Sequence, residues 1–487
     1  MEPIALPDYV QAHFDPASGQ AQHRQLYAVI QKGIRDGALA AGTRLPPTRA
    51  LAEALGIARN TIVHVYEQLA LEGFVRAGVG RGTYVAPQAP RLAPAVARQR
   101  RAATLSGRGR QLLAGASASP QQWGAFVPGV PEVRLFPTAV WNRLQARAWR
   151  RPTPEQMSYA TAGGDATLRQ AIADYLKGTR GVDCAPGQVV VTSGTQQSLQ
   201  LIAQLLADPG DAVWLEDPGY WGARSVFRNA GLKLVPIDVD EEGAAPTPKQ
   251  LREPPRLMFV SPSHQYPVGA LMSHGRRRQL LDYAAAQGVW MIEDDYDSEF
   301  RYDARPLPAL QGLDAAGHTI YLGTFSKTLF PSLRIAYLVL PVELAEGFAR
   351  ALSELFREGQ TLPQSVLASF IAEGHYASHI RRMRGVYSAR RAALIGAIRR
   401  HFDEAELPIL GGDAGLHLVL GLPPHVDDAA VVREALRAGI ATRPLSMYSI
   451  REPAPRKGLV LGYGAVTEEE IVPAFARLAK VIRKALP

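Results

Sequence analysis

A lysine with several chemically useful neighbours follows an apolar run in the middle of the chain. In the segment Tyr321–Tyr337, YLGTFSKTLFPSLRIAY, Lys327 stands close to Thr324 and Ser326, and Arg334 comes seven residues later. A buried lysine amine can condense with an aldehyde, and hydroxyl groups together with an arginine can hold a phosphate dianion. The segment therefore predicts a covalent site for a phosphorylated aldehyde.

A second apolar run ends in acidic and aromatic residues. The segment VWMIEDDYDSEFRY carries Asp294, Asp295 and Tyr296 at the end of its predicted strand. A carboxylate at this place can pair with a pyridinium nitrogen, and a phenol can bond to an oxygen on the same ring. We expect Asp294 rather than Asp295 to be the pyridinium partner. Together with Lys327, these groups predict pyridoxal phosphate as the cofactor.

Two more segments supply groups that suit this cofactor. The sequence VVVTSGTQQSLQ is typical of a strand, a tight turn and a helix, so the backbone N–H groups of Gly194, Thr195 and Gln196 would point at a phosphate from the start of the helix. The sequence LEDPGYWGAR offers Tyr220 as a ring that can stack on the cofactor.

The elements that carry these residues alternate along the chain. From about Trp123 onwards, amphipathic stretches separate short apolar runs such as AVWLED, RLMFVSP and TIYLGTFS. This alternation predicts a mainly parallel sheet covered by helices. From about Pro341 the pattern is mostly helical with the strand-like runs GLHLVL and GLVLGYG, which predicts a smaller α/β subdomain. We assign residues 122–487 to this large domain.

Residues 21–87 have a different pattern, with three helical stretches followed by a hairpin punctuated by glycines. Within Arg44–Val75, two helical patterns are separated by a turn at Gly56, which is the spacing of a helix-turn-helix. The second helix begins with Arg59, Asn60 and Thr61, and a helix start of this kind can bind phosphates while Arg and Asn side chains reach base edges. We expect Arg49 and Arg59 to make the leading DNA contacts.

The positive charge is concentrated in the same part of the chain. Between Ala21 and Arg110 there are 14 Arg and Lys against 4 Asp and Glu, whereas the whole chain has a net charge of +9. The excess of positive charge is typical of a solvated surface as well as of a polyanion-binding surface. The helix-turn-helix pattern favours the second interpretation, with DNA as the polyanion. Residues 88–121, rich in Pro, Ala, Gly, Ser and Arg, are predicted to be a flexible linker. At roughly 30 residues it would be long enough for one domain to act on a partner subunit.

Composition sets limits on the environment of the protein. No apolar run reaches the roughly 18 residues that a membrane helix needs, and the start of the chain lacks the pattern of a secretory signal. Cys184 is a single cysteine and cannot form an intrachain disulfide. We expect a cytoplasmic protein without a membrane span, and no metal site is predicted.

The stretch from about Gln25 to Val85 closely resembles the GntR-type winged helix. The resemblance includes the element G-x-L-x-x-G-x-R-L-P-x-x-R from Gly37 to Arg49 and the closing sequence GRGTYV. The wing is expected in GFVRAGVGRGTYVAP, where two short strands flank a Gly-rich turn with Arg81 and Gly82 near its tip. The resemblance implies binding to double-stranded operator DNA. The residues expected near the DNA are Arg44, Arg49, Arg59, Asn60, Thr61, Arg81 and Gly82.

The segments from Trp123 to the end of the chain, in their order, resemble a fold-type I aminotransferase. With the N-terminal domain they resemble the MocR subgroup of GntR regulators. The resemblance implies that Lys327 forms the internal aldimine and that Tyr296 binds the cofactor's O3′. It also implies that Asp294 pairs with the pyridine nitrogen, that Tyr220 stacks on the cofactor ring and that Arg334 binds the phosphate. Tyr159 matches a tyrosine that reaches the phosphate of the neighbouring subunit, so a homodimer is implied, and the family arrangement is a head-to-tail, domain-swapped one.

Two departures from the aminotransferase pattern concern the pocket. Where many aminotransferases have N-P-T-G, this chain has SHQYPVG, so the cofactor-binding asparagine is missing. His264 or Gln265 could substitute, or His264 could be an ordinary loop histidine. The predicted strand GLVLGYG also lacks the arginine that clamps a substrate carboxylate. Arg443 and Arg224 remain as candidate partners of an effector carboxylate, or as surface arginines.

Three functions are compatible with these residues. The first is a regulator that senses pyridoxal phosphate, or an amino compound that forms an external aldimine with it. The second is an active aminotransferase tethered to a DNA-binding domain, which the missing carboxylate clamp argues against. The third is a DNA-binding protein whose large domain only dimerises, which the intact Lys327 set argues against. The first function is our prediction; the sequence indicates neither the effector nor the operator, nor whether binding activates or represses.

Overall fold

The computed structural model of the chain describes residues 6–15, 18–78, 82–87, 104–114, 122–159, 163–302, 308–357 and 360–486. The chain divides into two compact units, one up to Thr104 and the other from Leu105. Each unit has a hydrophobic core of its own. Most of the predicted linker lies outside the described residues; the part from 104 to 114 contains helix α5, Gly107–Ala114.

The N-terminal unit is a helix-turn-helix with an antiparallel wing. Its elements, in chain order, are α1 Leu6–His13, α2 Gln22–Arg35, β1 Arg44–Leu45, α3 Thr48–Leu55, α4 Arg59–Leu71, β2 Val75–Gly78 and β3 Gly82–Val85. The strands form one sheet in the order β1-β3-β2. Leu51 of α3 and Ile62 and Leu69 of α4 are fully buried in the unit's core. The predicted fold of three helices and a hairpin is confirmed.

Two local features fix the packing of these helices. The turn between α3 and α4 passes through Gly56 at φ +65°, a left-handed conformation that favours glycine. Helix α1, which lies before residue 21, packs on α2 so closely that a Cβ on Gly33 would come within 2.7 Å of Tyr9 Cε1. Tyr9 therefore adds to the same core as the helix-turn-helix.

The second unit contains a large mixed sheet. After α5 its elements are α6 Thr138–Arg150, α7 Ala166–Arg180, β4 Val189–Thr192, α8 Thr195–Leu206, β5 Ala212–Asp217, α9 Trp221–Asn229, β6 Lys233–Asp240, β7 Gly243–Ala245, β8 Leu257–Val260, α10 His274–Gln287, β9 Trp290–Asp295, β10 Thr319–Thr324 and β11 Ala336–Val339. The eight strands run in the order β4-β11-β10-β9-β8-β5-β6-β7. Neighbouring strands from β10 to β6 are parallel. The prediction of a mainly parallel sheet is confirmed.

The C-terminal part forms a smaller α/β subdomain, as predicted. It consists of α11 Val342–Phe356, α12 Thr361–Ala372, α13 His375–Arg399, β12 Ile409–Leu410, β13 His417–Leu422, α14 Asp428–Arg437, β14 Arg443–Pro444, β15 Lys457–Gly462 and α15 Glu468–Ala485. Its strands pair antiparallel in the order β12-β13-β15-β14.

The large sheet positions a functional site at one edge. The loops that follow the carboxyl ends of β5, β8, β9 and β10 carry the residues singled out from the sequence, and parallel strands bring such loops together. Within the described ranges, none of the helices has both the length and the apolar character needed to cross a bilayer.

Candidate functional site

A cavity of about 340 Å³ opens at this edge of the sheet. Most of the residues predicted to bind a cofactor or effector line it: Thr195, Gln196, Tyr220, Asp294, Tyr296, Thr324, Ser326, Lys327, Arg334 and Arg443. They come from five separate stretches of the chain, so the fold brings together residues that are more than 200 positions apart in the sequence.

Lys327 lies in the loop after β10 with its amine in the cavity. Its Nζ donates a hydrogen bond to the carbonyl oxygen of Gly129 at 2.8 Å. Burial lowers the pKa of Lys327, and the nearby carboxylates of Asp297 and Asp294 only partly oppose this effect. A lowered pKa favours the neutral amine, which is the form that attacks an aldehyde.

The two neighbouring aspartates at the end of β9 have different surroundings in the structure. Asp295 accepts hydrogen bonds from Arg180 Nε at 2.7 Å and from the Tyr321 hydroxyl at 2.6 Å, so its charge is compensated. Asp294 instead lines the cavity and, among the described residues, has no ion-pair partner. Burial, with the charges of Asp295, Glu216 and Asp297, raises the pKa of Asp294 well above its ordinary value. A buried carboxylate in this situation suits a ligand that brings a positive charge.

An anion cradle lies at the start of α8. Gly194 precedes the helix at φ +118° and provides no side chain to cap it, and Thr195 and Gln196 of the first turn line the cavity, where the start of a helix suits an anion. A Cβ on Gly194 would come within 2.4 Å of the Arg334 guanidinium. Arg334 itself has φ +53°, an uncommon conformation for a residue other than glycine, directly after the 3₁₀ turn Pro331–Leu333.

These features together fit pyridoxal phosphate. The cavity has a lysine whose amine is biased towards the neutral form, a buried carboxylate that needs a cation, and a cradle for a phosphate dianion. The Tyr220 ring, which lines the same cavity, is available to stack on the cofactor.

The segment SHQYPVG presents a residue to the cavity that sequence reasoning missed. Neither His264 nor Gln265 lines the cavity, whereas Tyr266 does, with its hydroxyl 3.0 Å from that of Tyr448. The Gln265 amide donates to Glu216 Oε2 and to the Pro218 carbonyl oxygen, which fixes the loop. A signal was present: aligning Pro267 and Gly269 with the P-T-G of aminotransferases puts Tyr266 at the place of the asparagine.

His417, Asp297 and Trp221 also line the cavity and were not singled out from the sequence. Asp297 and Trp221 each stand next to a residue that was predicted, Tyr296 and Tyr220. His417 begins β13, more than 80 residues after Lys327, and carried no local motif that could have indicated it.

The two candidate arginines for an effector carboxylate have different surroundings. Arg443 lines the cavity from β14, where it is paired with Val460 of β15, the strand that lacks the arginine of typical aminotransferases. Arg224, on α9, lies outside the lining of this cavity; its guanidinium donates to the carbonyl oxygens of Ser449 at 2.6 Å and Met447 at 3.0 Å. Arg224 thus braces a loop whose residue Met447 lines the cavity.

Tyr159 lies on the surface of the chain. Its side chain is 70% exposed, and the Arg357 guanidinium lies 5.7 Å from the centre of its ring. The predicted contact of Tyr159 with a neighbouring subunit stays a prediction.

The residues predicted to meet DNA lie on the helix-turn-helix and its wing. Arg44, Arg49, Arg59 and Asn60 are exposed, and Thr61 is half-buried at the first turn of α4. Arg59 Nε lies 3.5 Å from Thr48 Oγ1 at the start of α3. Gly82 at the start of β3 leaves room for Arg44, because a Cβ there would come within 3.2 Å of Arg44 Nε. The predicted contact Arg81 lies outside the described residues.

The fold and the cavity define a class: a winged helix-turn-helix joined to a fold-type I aminotransferase-like domain. Residues 22–85 match the family of bacterial regulatory proteins of the gntR type, and residues 136–477 match the aminotransferase class I and II family. The chain belongs to the MocR-type GntR transcriptional regulators. The aminotransferase family implies dependence on pyridoxal phosphate, and the gntR domain implies binding to DNA.

Full-length relatives support this assignment. The probable rhizopine catabolism regulatory protein MocR of Rhizobium meliloti is 43% identical, over 91% of this chain and 90% of its own. The pyridoxine biosynthesis transcriptional regulator PdxR of Corynebacterium glutamicum is 31% identical, over 94% of this chain and 95% of its own. Among solved structures, the alpha-aminoadipate aminotransferase LysN of Thermus thermophilus, complexed with N-(5'-phosphopyridoxyl)-L-leucine, is 28% identical. It matches with a TM-score of 0.68 over 78% of this chain and 95% of its own.

Proposed function

We propose that this regulator binds pyridoxal phosphate beside Lys327, and that its DNA binding responds to pyridoxal phosphate or to an amino compound that joins the bound cofactor. The observation that carries the proposal is the buried carboxylate of Asp294, which has no ion-pair partner among the described residues and lies in the same cavity as a lysine of lowered pKa. A pyridinium cation would compensate the Asp294 charge, and the neutral Lys327 amine would make the covalent bond. When bound, pyridoxal phosphate supplies an electrophilic carbon that a primary amine can join.

Each remaining residue has a definite part in holding the cofactor. Arg334, Ser326 and Thr324 would bind the phosphate, together with the backbone of Gly194, Thr195 and Gln196. The Tyr220 ring would stack on the pyridine face, and the Tyr296 hydroxyl would donate to the ring oxygen. Tyr159 would complete the phosphate site from the partner subunit of a homodimer.

Arg443 indicates which chemical group the effector should carry. In our proposal Lys327, Arg334 and Asp294 hold the cofactor, and the Arg443 guanidinium, which lines the same cavity, would face the effector. An amine that also carries a carboxylate would be held at both ends, with its carboxylate on Arg443. We therefore expect amino acids or related amino carboxylates to be effectors before simple amines.

The response of DNA binding needs a difference in contacts between the liganded and unliganded dimers. An amino carboxylate in the cavity would take the place of Lys327 beside the cofactor, and its carboxylate would contact Arg443 of the C-terminal subdomain. A ligand shifts the equilibrium between two arrangements only by its difference in affinity for them. In our proposal that difference changes how the paired winged helices meet the operator.

The first test is an absorption spectrum of the purified protein with and without pyridoxal phosphate. We expect a stable visible band at roughly 420 nm and, after borohydride reduction, a cofactor adduct on Lys327. The Lys327→Ala protein should give neither band nor adduct. A wild-type protein that takes up no cofactor would refute the proposal.

The second test measures affinity for a DNA fragment selected by the protein itself. Three samples are compared: the apo protein, the protein with pyridoxal phosphate alone, and the protein with cofactor plus each of a panel of amines. The comparison shows whether DNA binding responds to pyridoxal phosphate itself or to an amino compound. Arg443→Ala should abolish the response to amino carboxylates while the visible band stays. Arg433→Ala, which removes an exposed arginine of α14, is the matched control and should respond like the wild type.

The alternative function, an aminotransferase tethered to DNA, uses the same cofactor residues. It needs a substrate carboxylate held in attack geometry, and Val460 stands on the strand where aminotransferases place the clamping arginine. Steady-state transamination across a panel of amino donors distinguishes the two functions. We expect rates at background, and multiple turnovers would favour the enzyme.

A further inference from the structure

A buried histidine, which is held by a buried aspartate, contacts the hydroxyl of Tyr296. We propose that His264 is a positioning residue: held by Asp297 with its proton on Nδ1, it makes the Tyr296 oxygen an acceptor and turns the Tyr296 hydroxyl hydrogen into the cofactor cavity. The inference rests on the proposed function, because it concerns how Tyr296 meets the cofactor.

The contacts converge on one ring nitrogen. His264 Nδ1 lies 3.0 Å from Asp297 Oδ1 and 3.3 Å from Asp297 Oδ2, and 3.0 Å from the Tyr296 hydroxyl oxygen. The His264 and Tyr296 rings stack with their centres 5.8 Å apart. His264 and Asp297 are 3% and 1% exposed, so neither exchanges its partners for bulk water.

The charge of Asp297 determines which nitrogen carries the proton. An ionised carboxylate only accepts hydrogen bonds, so a bare Nδ1 facing it would bring two lone pairs together. A hydrogen on Nδ1 instead allows His264 to donate a hydrogen bond to the Asp297 carboxylate. The other nitrogen, Nε2, is buried and has no hydrogen-bond partner among the described residues, so a proton there would have no acceptor. Both arguments select the tautomer with its hydrogen on Nδ1.

The other groups around His264 leave this assignment unchanged. The His417 ring lies 5.3 Å away, centre to centre, and its Nε2 donates to the Pro267 carbonyl oxygen at 2.9 Å. Burial lowers the pKa of His417 to about 3, so it is neutral at physiological pH. Behind His264, the backbone of Gly415 lies so close that a Cβ there would come within 2.2 Å of the His264 ring. Glycine at position 415 therefore allows the backbone to pack against the His264 ring.

The direction of the Tyr296 hydroxyl follows from this tautomer. A protonated Nδ1 has no lone pair to accept a hydrogen bond, so the Tyr296 hydroxyl cannot donate to it and its oxygen can only share, as an acceptor, the Nδ1–H that Asp297 also accepts. Its own hydrogen must then point elsewhere, and Tyr296 lines the cavity. A hydroxyl aimed at the cofactor's ring oxygen favours the anionic form of that oxygen, which lowers the pH at which the visible band of the bound cofactor titrates.

The experiment is a pH titration of the visible band of the pyridoxal phosphate complex, with cofactor on Lys327 verified by borohydride reduction in every variant. Tyr296→Phe and His264→Leu should each raise the midpoint by about one pH unit, the size of one hydrogen bond to a charged oxygen. His264→Asn, whose amide can donate from the place of Nδ1, should stay near the wild type. His264→Gln places its amide further out and should behave like His264→Leu.

The double variant His264→Leu/Tyr296→Phe provides the decisive control. If His264 acts through Tyr296, the double variant titrates like Tyr296→Phe alone, whereas a separate structural effect adds to it. Additive shifts, or a wild-type midpoint in both His264→Leu and His264→Gln, would overturn the inference while leaving the cofactor on Lys327. A protein without any cofactor adduct would instead remove the proposed function and this inference with it. Should His264→Leu fail to fold, the Asn and Gln pair decides alone.

Discussion

At the scale of single residues, the cavity holds charges in positions that are unfavourable without a ligand. Asp294 is a buried carboxylate whose pKa is raised by burial and by three neighbouring carboxylates, and Lys327 is an amine whose pKa burial lowers. Such groups cost folding free energy in the ligand-free protein, and binding sites commonly retain them for that reason. Their removal should therefore affect stability and binding in opposite directions.

Asp294→Asn tests this opposition. A carboxyl whose folded-state pKa is raised binds a proton more tightly in the folded state, so it lowers the stability of the apo protein increasingly as pH rises towards and through that pKa. At pH 7 the apo variant should melt about 2–4 °C higher than the wild type, while its affinity for pyridoxal phosphate falls at least about tenfold. Thermal melts of the apo protein and cofactor titrations measure the two effects. A fall in both would contradict our assignment of Asp294.

Arg59 is the residue-scale test of the DNA-binding unit. It is exposed at the start of α4, where the helix has no side-chain cap. We expect Arg59→Ala to weaken specific binding by about 1–3 kcal/mol, with a smaller loss for unrelated DNA, because a base-edge contact discriminates between sequences. Arg24→Ala, which removes an exposed arginine of α2, is the control. Equal losses on both DNAs would instead make Arg59 a phosphate contact.

At the scale of elements, residues 127–130 form one wall of the cavity. It presents the Gly129 carbonyl oxygen to Lys327, and Phe126 forms a bridge with Gly462 of β15. Glu132 anchors the end of this wall, because its carboxylate accepts from Arg390 Nη2 at 2.8 Å and from Arg134 Nε at 2.8 Å. The wall is thereby attached to α13 of the C-terminal subdomain.

Glu132→Gln should loosen this attachment. Burial alone would raise the pKa of Glu132, but the hydrogen bonds from Arg134 and Arg390 lower it to about 2. A carboxyl with a lowered folded-state pKa stabilises the protein above its ordinary pKa, and this contribution is lost as pH falls from about 5 towards 2. At pH 7 the variant should lose about 2–3 kcal/mol, since Arg390 stays buried without its partner. Denaturant unfolding at pH 7 and pH 4 checks this: the difference between the two proteins should shrink at pH 4.

The sequence predicted the elements of both units because their patterns are local. The helix-turn-helix follows from apolar spacing around Gly56, and the parallel sheet from the apolar runs before Asp294 and Lys327. The positions of Tyr266 and His417 depend on how β13 meets the loop after β8, which are more than 140 residues apart. The His264–Asp297–Tyr296 contact is equally a product of packing. Local patterns contain no information about contacts of this kind.

At the scale of the whole molecule, the chain combines two units with separate cores and separate ligands. The basic unit up to Thr104 contains the predicted DNA contacts, and the unit from Leu105 contains the cavity. A ligand that binds only the folded form of one unit raises the stability of that unit by mass action. Pyridoxal phosphate should therefore raise the unfolding temperature of the unit from Leu105, and operator DNA should raise that of the unit up to Thr104.

Differential scanning calorimetry of the full chain tests this division. We expect two transitions, and pyridoxal phosphate at about 100 times its dissociation constant should stabilise the larger one by about 2.7 kcal/mol. The transition of the DNA-binding unit should stay in place, because its core shares no residue with the cavity. In Lys327→Ala the cofactor should move neither transition appreciably. A shift of both transitions in the wild type would mean that cofactor binding also stabilises the DNA-binding unit, so that the two units are energetically coupled.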